Sequence, residues 1–241
     1  MENFNFNNGD NSVANISQAD LAKNFISNVF SWMGIALMIT AVTSYYFGTN
    51  EDLISMLVGV NGMTIFGWIV MLSPFAFVLA MSFGLNRMSV GTLTLIFGLF
   101  ALTMGMSLGF IFLAYEIGSI FKTFVVTAGM FGFMAFLGYT TKTDLTKFGS
   151  LLMMALFGLI IAMVVNFFMQ SSTMDYVISG IGVLIFTGLT AYDVQKLKRI
   201  GAGIQYKDAT TNKMVIMGAL TLYLDFINLF LFLLRFLGNR R

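Results

Sequence analysis

Two aspartates, Asp193 and Asp225, stand inside long apolar runs of a chain that has no histidine and no cysteine. Imidazole and thiolate chemistry are therefore absent, and proton exchange near neutral pH falls to carboxylates in unusual surroundings. In FTGLTAYDVQKLK, Asp193 precedes Lys196 by three residues, and Thr187 and Thr190 lie before it at successive i, i+3 steps, forming a polar arc. In GALTLYLDFINLFLFLLRFLG, spacings of three and four place Gly218, Thr221, Asp225, Asn228, Phe232 and Arg235 on one helical face. An aspartate at the middle of a membrane helix costs ~2.5–3.5 kcal/mol, whereas a leucine or phenylalanine there returns only ~0.3–0.6 kcal/mol. That face is expected to point into a bundle, and ionisable groups at such depth commonly mark ion or proton pathways.

If the helices carrying them pack as antiparallel neighbours, the carboxyls can meet. Two carboxylates in a low dielectric cannot both ionise cheaply, so the pair titrates as a coupled unit. One shared proton would lock the helices, and its loss would add repulsion and favour opening or cation entry. Hard oxygen ligands suit calcium, but two aspartates supply at most four oxygens against the six to eight that calcium prefers. Thr190, Thr221, backbone carbonyls or water would complete a weak, transient site. Weak binding suits a permeant ion, which must also leave, so Ca2+ is expected as cargo and no cofactor is expected. Lys196 could pair with Asp193, and Asn228 could bond Asp225. A helix C-terminus near Asp193 would disfavour its charge. The bland alternative is structural: a salt-bridged interfacial Asp193 and a protonated or asparagine-bonded Asp225.

The elements that position these residues follow from composition. Of 241 residues, 58% are hydrophobic and 10% charged, against about 25% charged in soluble domains. An all-α integral membrane protein is expected, with residues 1–22 as a polar, disordered tail and 23–241 as the transmembrane domain. Seven apolar stretches lie at Phe25–Phe47, Thr64–Phe83, Val90–Leu113, Phe121–Tyr139, Phe148–Met169, Tyr176–Leu197 and Met214–Leu237, each long enough to cross about 30 Å of hydrocarbon. They lack the alternation that barrel strands require. The sole proline, Pro74, falls in the second and could kink it. Gly105 with Gly109, and Ala128 with Gly132, have the spacing of helix-contact motifs.

Alternating spans put Lys23, Arg87, Lys142, Lys147, Lys196, Lys198, Arg199, Lys207 and Lys213 on the N-terminal side and Lys122 opposite, which predicts a cytoplasmic N-terminus. Arg235, Arg240 and Arg241 oppose this arrangement after seven crossings, and a last segment that enters and returns would relieve the conflict. Glu116 reads as an outer-loop charge, Asp144 as a solvated turn and Arg87 as an interfacial anchor. The net charge of +2 gives no reason to expect nucleic-acid binding.

LGYTTKTDLTKFGSLL, FTGLTAYDVQKLK and GALTLYLDFINLFLFLLRFLGNRR together resemble the Bax inhibitor-1 family, most closely its YccA-like bacterial branch, over nearly all of the chain after the tail. The resemblance implies seven helices with the last surrounded by the other six, and a pH-sensitive calcium leak attributed to paired aspartates, here Asp193 and Asp225. It also implies a basic partner at the end of the second helix, for which Arg87 is the local candidate. A bacterial plasma (inner) membrane location follows from the same likeness.

A cation leak is the leading expectation, and a regulator that engages a membrane protease or another integral partner is the alternative. Enzymatic activity is not expected. An intramembrane aspartyl protease would match Tyr192–Asp193, but Leu222–Tyr223–Leu224 stands where a GxG should precede Asp225, and no proline follows.

Overall fold

The structure, a computed structural model, describes residues 18–59, 62–204 and 208–240. Residues 1–17 of the expected tail, together with Lys207 and Arg241, lie outside them. The helices are α1 (Gln18–Thr49), α2 (Glu51–Leu57), α3 (Ile65–Gly84), α4 (Val90–Leu108), α5 (Ile111–Ala114), α6 (Ile117–Thr140), α7 (Thr146–Met169), α8 (Ser172–Ala202) and α9 (Ala209–Leu237). A two-stranded hairpin, β1 (Val58–Gly59) and β2 (Gly62–Met63), follows α2. Seven of the helical segments are long and apolar enough to span a membrane, α4 and α5 together making one. The protein is an all-α membrane protein.

Each expected span is present, and most extend beyond the apolar run because polar residues cap their ends. Thr64, Ser89, Ser171 and Asp208 accept backbone N–H bonds at the starts of α3, α4, α8 and α9, supplying partners for orphan donors of the first turn. The helical start at Gln18 lies inside the segment expected to be tail. Gln170, in the left-handed region at φ 51°, closes α7. Asn166 then binds the next two backbone amides, at 2.7 and 3.2 Å, which turns the chain directly into α8. Pro74 lies buried within α3 and cannot donate to the Val70 carbonyl four residues earlier. Ser73 Oγ donates to that carbonyl instead, at 2.9 Å, as neighbouring hydroxyls do for freed backbone groups in lipid.

The last helix is the core. α9 packs against α1, α4, α6 and α8, while α3 packs mainly on α4 and α7 mainly on α8. Most of the α9 span is buried, whereas almost all of the α7 span faces outward. The enclosure has two tiers rather than six equal neighbours. α9 is one continuous helix, and at its far end Asn239 bonds Glu116 and Ser119, at 3.2 and 3.0 Å. A returning last segment is therefore not formed. Arg235 and Arg240 both pair with Asp175, at 3.4 and 3.2 Å, so much of the charge that prompted that alternative is compensated locally.

Bilayer tails are as apolar as leucine, so helix association in lipid rests on close packing and hydrogen bonds. Gly105 meets that need: an added Cβ would strike Thr40 and Thr43 of α1. The Ala128/Gly132 pair does not, because both residues are exposed and Gly132 has open space beside it. The tighter contact on α6 is Gly138, where a Cβ would run into the Ala191 backbone of α8. Gly138→Ala is expected to lower stability by ~1–3 kcal/mol through overpacking, whereas Gly132→Ala is expected to be neutral. Thermal unfolding in detergent checks the pair, with a lower midpoint for the first variant only.

Candidate functional site: a carboxyl pair between the last two helices

α8 and α9 run antiparallel and in close contact. Gly182 on α8 accepts the Phe232 ring of α9, and Gly218 on α9 accepts Leu197 of α8. These two contacts bracket Asp193 and Asp225 and draw the helix axes together. The carboxyls come within hydrogen-bond reach of each other. Asp225 is only 6% exposed, and no N–H or hydroxyl among the described residues donates to its buried Oδ2. Two carboxyls at this separation attract only when one keeps a proton, which then bridges them. A buried acceptor left unmatched is uncommon and calls for a functional or structural explanation.

The pair lines a cavity of about 680 Å3 between α7, α8 and α9, with Phe75 of α3 at its side. Its wall is mostly apolar, and its polar lining is Tyr192, Asp193, Lys196, Thr221, Asp225, Asn228 and Arg235. Arg235 and Met163 also line a second cavity of about 560 Å3 with Asp175, Asn166 and Arg240. Polar side chains thus mark a route from the carboxyl pair toward the end of the bundle that carries the C-terminus.

Lys196 is exposed, and its charge acts on Asp193. Asn228 faces the cavity, but its amide donates to Leu224 O of its own helix at 2.8 Å and makes no bond to Asp225 Oδ2. Thr221 lines the cavity and bonds Met217 O at 3.1 Å. Thr190 is fully buried, donates to Phe186 O at 2.8 Å and does not line the cavity. Arg87 lies exposed in the turn between α3 and α4 and does not line it either. The early end of α3 at Gly84 leaves Arg87 at the bundle surface. No group of three or more acidic side chains suited to a metal occurs among the described residues. Any cation held by the pair would need hydroxyls, carbonyls or water to complete its shell.

α8 runs past Leu197 to Ala202. Asp193 therefore lies more than two turns from the helix end, beyond the last-turn reach of the macrodipole. The sequence placed the anion at an unfavourable helix terminus, and the longer helix removes that penalty. Also unforeseen was a clamp just below the pair. Gln195 accepts from Leu145 N at 2.9 Å and donates to Thr143 O at 2.8 Å. Arg199 bonds Thr146, Asp144 and Gln195 at 2.7, 2.5 and 2.6 Å, and Lys198 donates to Tyr139 O at 2.7 Å. Asp144 is exposed, as a turn residue should be, yet it ties the α6–α7 loop to the helix that carries Asp193. The i, i+4 spacing of Gln195 and Arg199 was the signal available for this clamp in the sequence.

Seven long apolar helices, a buried last helix and an intramembrane carboxyl pair define a polytopic membrane protein built around α9. The family model described as inhibitor of apoptosis-promoting Bax1 matches residues 22–241, and the chain belongs to this family, the Bax inhibitor-1 family. It is 44% identical over 218 residues to the inner membrane protein YbhL of Escherichia coli K12, covering 90% of this chain and 92% of YbhL. A Borreliella burgdorferi protein is 47% identical over 225 residues, with 93% and 96% coverage. A Streptococcus pyogenes membrane protein is 36% identical over 228 residues, with 92% and 96% coverage.

Bonds from Thr146 and Arg199 hold the Asp144 carboxyl below the usual carboxylate range of about 3.9. A depressed value means that its contribution is complete above that range and is lost as pH falls through the depressed value. Asp144→Asn is expected to raise the mobility of the α6–α7 loop by roughly 2–5-fold near neutral pH, as loss of an exposed pair should. The cysteine-free chain allows a spin label at Thr143→Cys to report this. In the parent, the label should stay restrained until pH falls below the ordinary carboxylate range.

Proposed function

We propose that this protein is a pH-sensitive cation leak, with calcium as its permeant ion and Asp193 and Asp225 as proton sensor and gate. The observation that carries the reading is the meeting of two carboxyls from α8 and α9 beside a large intramembrane cavity, with no N–H or hydroxyl among the described residues donating to the buried Asp225 Oδ2. A shared proton holds α8 and α9 together at the pair. When it leaves, two anions face each other in low dielectric, and separation or entry of a compensating cation relieves their repulsion. The closed arrangement binds one proton more than the open one, so rising pH favours opening.

The N-terminus is assigned to the cytoplasm. Lys23, Arg87, Lys142, Lys147, Lys196, Lys198, Arg199 and Lys213 gather at or near the end that carries it, as the positive-inside rule requires. The E. coli relative's location supports placement in a bacterial inner membrane. A cation would then pass between the Lys196 mouth and the Asp175–Arg235 end of the two cavities. The pair would hold it only weakly, as conduction demands.

Calcium flux into dye-loaded liposomes tests the reading. Wild-type flux is expected to rise from about pH 6 to pH 8, by up to roughly tenfold per unit where a single proton controls opening. Asp225→Asn and Asp193→Asn should each leave a low flux that no longer follows pH, because the amide neither ionises nor repels its neighbour. Unchanged flux and unchanged pH response in both variants would overturn the gate and return the function to the alternative of partner binding.

A further inference from the structure

On the opposite side of α9 from the carboxyl pair, α1 and α6 are not joined by extensive packing. α1 packs mainly on α4 and α9, and α6 mainly on α8 and α9. Between them lies a cavity of about 420 Å3 whose wall is almost wholly apolar, with Ala41 and Tyr45 of α1, Phe121 and Phe124 of α6, and Phe230 of α9 among its lining residues. Tyr45 and Phe121 are 57% and 68% exposed, so the cavity opens sideways into the surrounding lipid. Its deep end closes at Thr40, whose hydroxyl is already engaged with Ala101 O and Tyr223 OH at 2.8 and 2.7 Å. Along α6 it runs from Ile117 to Phe124, about 10 Å at ~1.5 Å per residue. That depth lies within one leaflet of a hydrocarbon core about 30 Å thick.

A second cavity, of about 190 Å3, adjoins the first at Gly118, which lines both. Its character is different, with Glu116, Ser119, Lys122 and Asn239 in its wall. Lys122 is exposed, while Ser119 is 9% exposed and accepts from Asn239 N at 3.0 Å, leaving its own proton to donate. Gly118 has open space beside it, with nothing within 4 Å of an added Cβ. The two cavities thus form a polar seat and an apolar slot joined over a position without a side chain, at the end of the span.

We infer that this paired site binds one phospholipid with a primary-amine headgroup. Its phosphate meets Lys122 and Ser119, its ammonium meets Glu116, and one acyl chain passes Gly118 to fill the slot beside α9. Charge complementarity selects the headgroup: a basic and an acidic side chain in one small polar cavity match a zwitterion better than a net anion. Depth and apolarity select the chain, because a slot open to lipid fills with hydrocarbon rather than water. This site is separate from the carboxyl pair and does not depend on its role.

Photo-crosslinking in liposomes tests the inference, using phosphatidylethanolamine with a diazirine in one acyl chain and peptide mapping by mass spectrometry. Label is expected on α6 within 117–124 and on α1 within 37–45, above the density on the lipid-facing residues of α7. Gly118→Leu, which enters open space, should reduce that label at least fivefold, and Lys122→Gln should reduce it two- to threefold, with both variants unfolding at the parent's temperature. A phosphatidylglycerol probe should label the site several-fold less. Equal labelling of α6 and α7, or labelling indifferent to both substitutions, would overturn the site. Equal labelling by the two probes would overturn the headgroup assignment.

Discussion

Hydrocarbon offers no hydrogen-bond partner, so a carboxyl carried to the middle of a membrane helix must be met by protein. Asp225 imposes that condition on α9, and much of the architecture follows from it. α1, α4, α6 and α8 enclose the helix, and it is the most buried of the spans. On the α1 and α4 side, Tyr223 OH is matched by Thr40 while Phe97 and Phe100 stack edgewise against its ring. On the α8 side, Asp225 meets Asp193. Close approach is needed for both, and glycines at Gly105, Gly182 and Gly218 remove the side chains that would hold the helices apart.

Polar satisfaction is distributed unevenly along the bundle. At the end that carries the N-terminus, Gln195, Lys198 and Arg199 tie α8 to the α6–α7 loop, and Lys213 donates to Leu85 O at 3.0 Å. At the other end, Asp175 holds Arg235 and Arg240, and Asn239 is stitched to the start of α6. Between these pinned ends, Asp225 Oδ2 is the buried side-chain oxygen among the described residues that receives no N–H or hydroxyl donor. A device that changes with one proton works best where its surroundings are otherwise settled. In the proposed gate, the free energy of the protonation change would then act on the α8–α9 contact instead of being absorbed by loose neighbours.

Hydropathy made the spans legible, and i, i+3/i+4 spacing made the polar face of α9 legible, because both are consequences of helix geometry alone. Helix ends were less legible: polar caps and the charged turn Arg199–Ala202 carry no apolar signal, so α8 and α9 proved longer than their hydrophobic runs. The longer α8 places Asp193 in a helix body rather than at a helix terminus. The short α2 and its hairpin were missed because Glu51–Met63 has neither span length nor a clear period. Arg87, Asn228 and Thr190 show a different limit. Spacing offered Asn228 as a bond to Asp225 and Thr190 as a cation ligand, and the family resemblance offered Arg87 as a basic partner, but Asn228 donates to Leu224 O, the Thr190 hydroxyl donates to Phe186 O, and Arg87 lies at the surface.

The charges around the cavity give the proposed gate a second element besides helix separation. Lys196 and Arg235 both line it, and the antiparallel packing of α8 and α9 sets the carboxyl pair between them. With one proton shared, the pair carries a single negative charge against two cationic side chains, and the cavity repels an entering cation. With the proton lost, two negative charges balance the two positive ones and the repulsion falls. Asp175 draws further on the charge of Arg235, which tips the ionised state toward accepting a cation. Proton loss therefore acts in one direction on both counts, loosening the α8–α9 contact and lowering the electrostatic barrier in the same space.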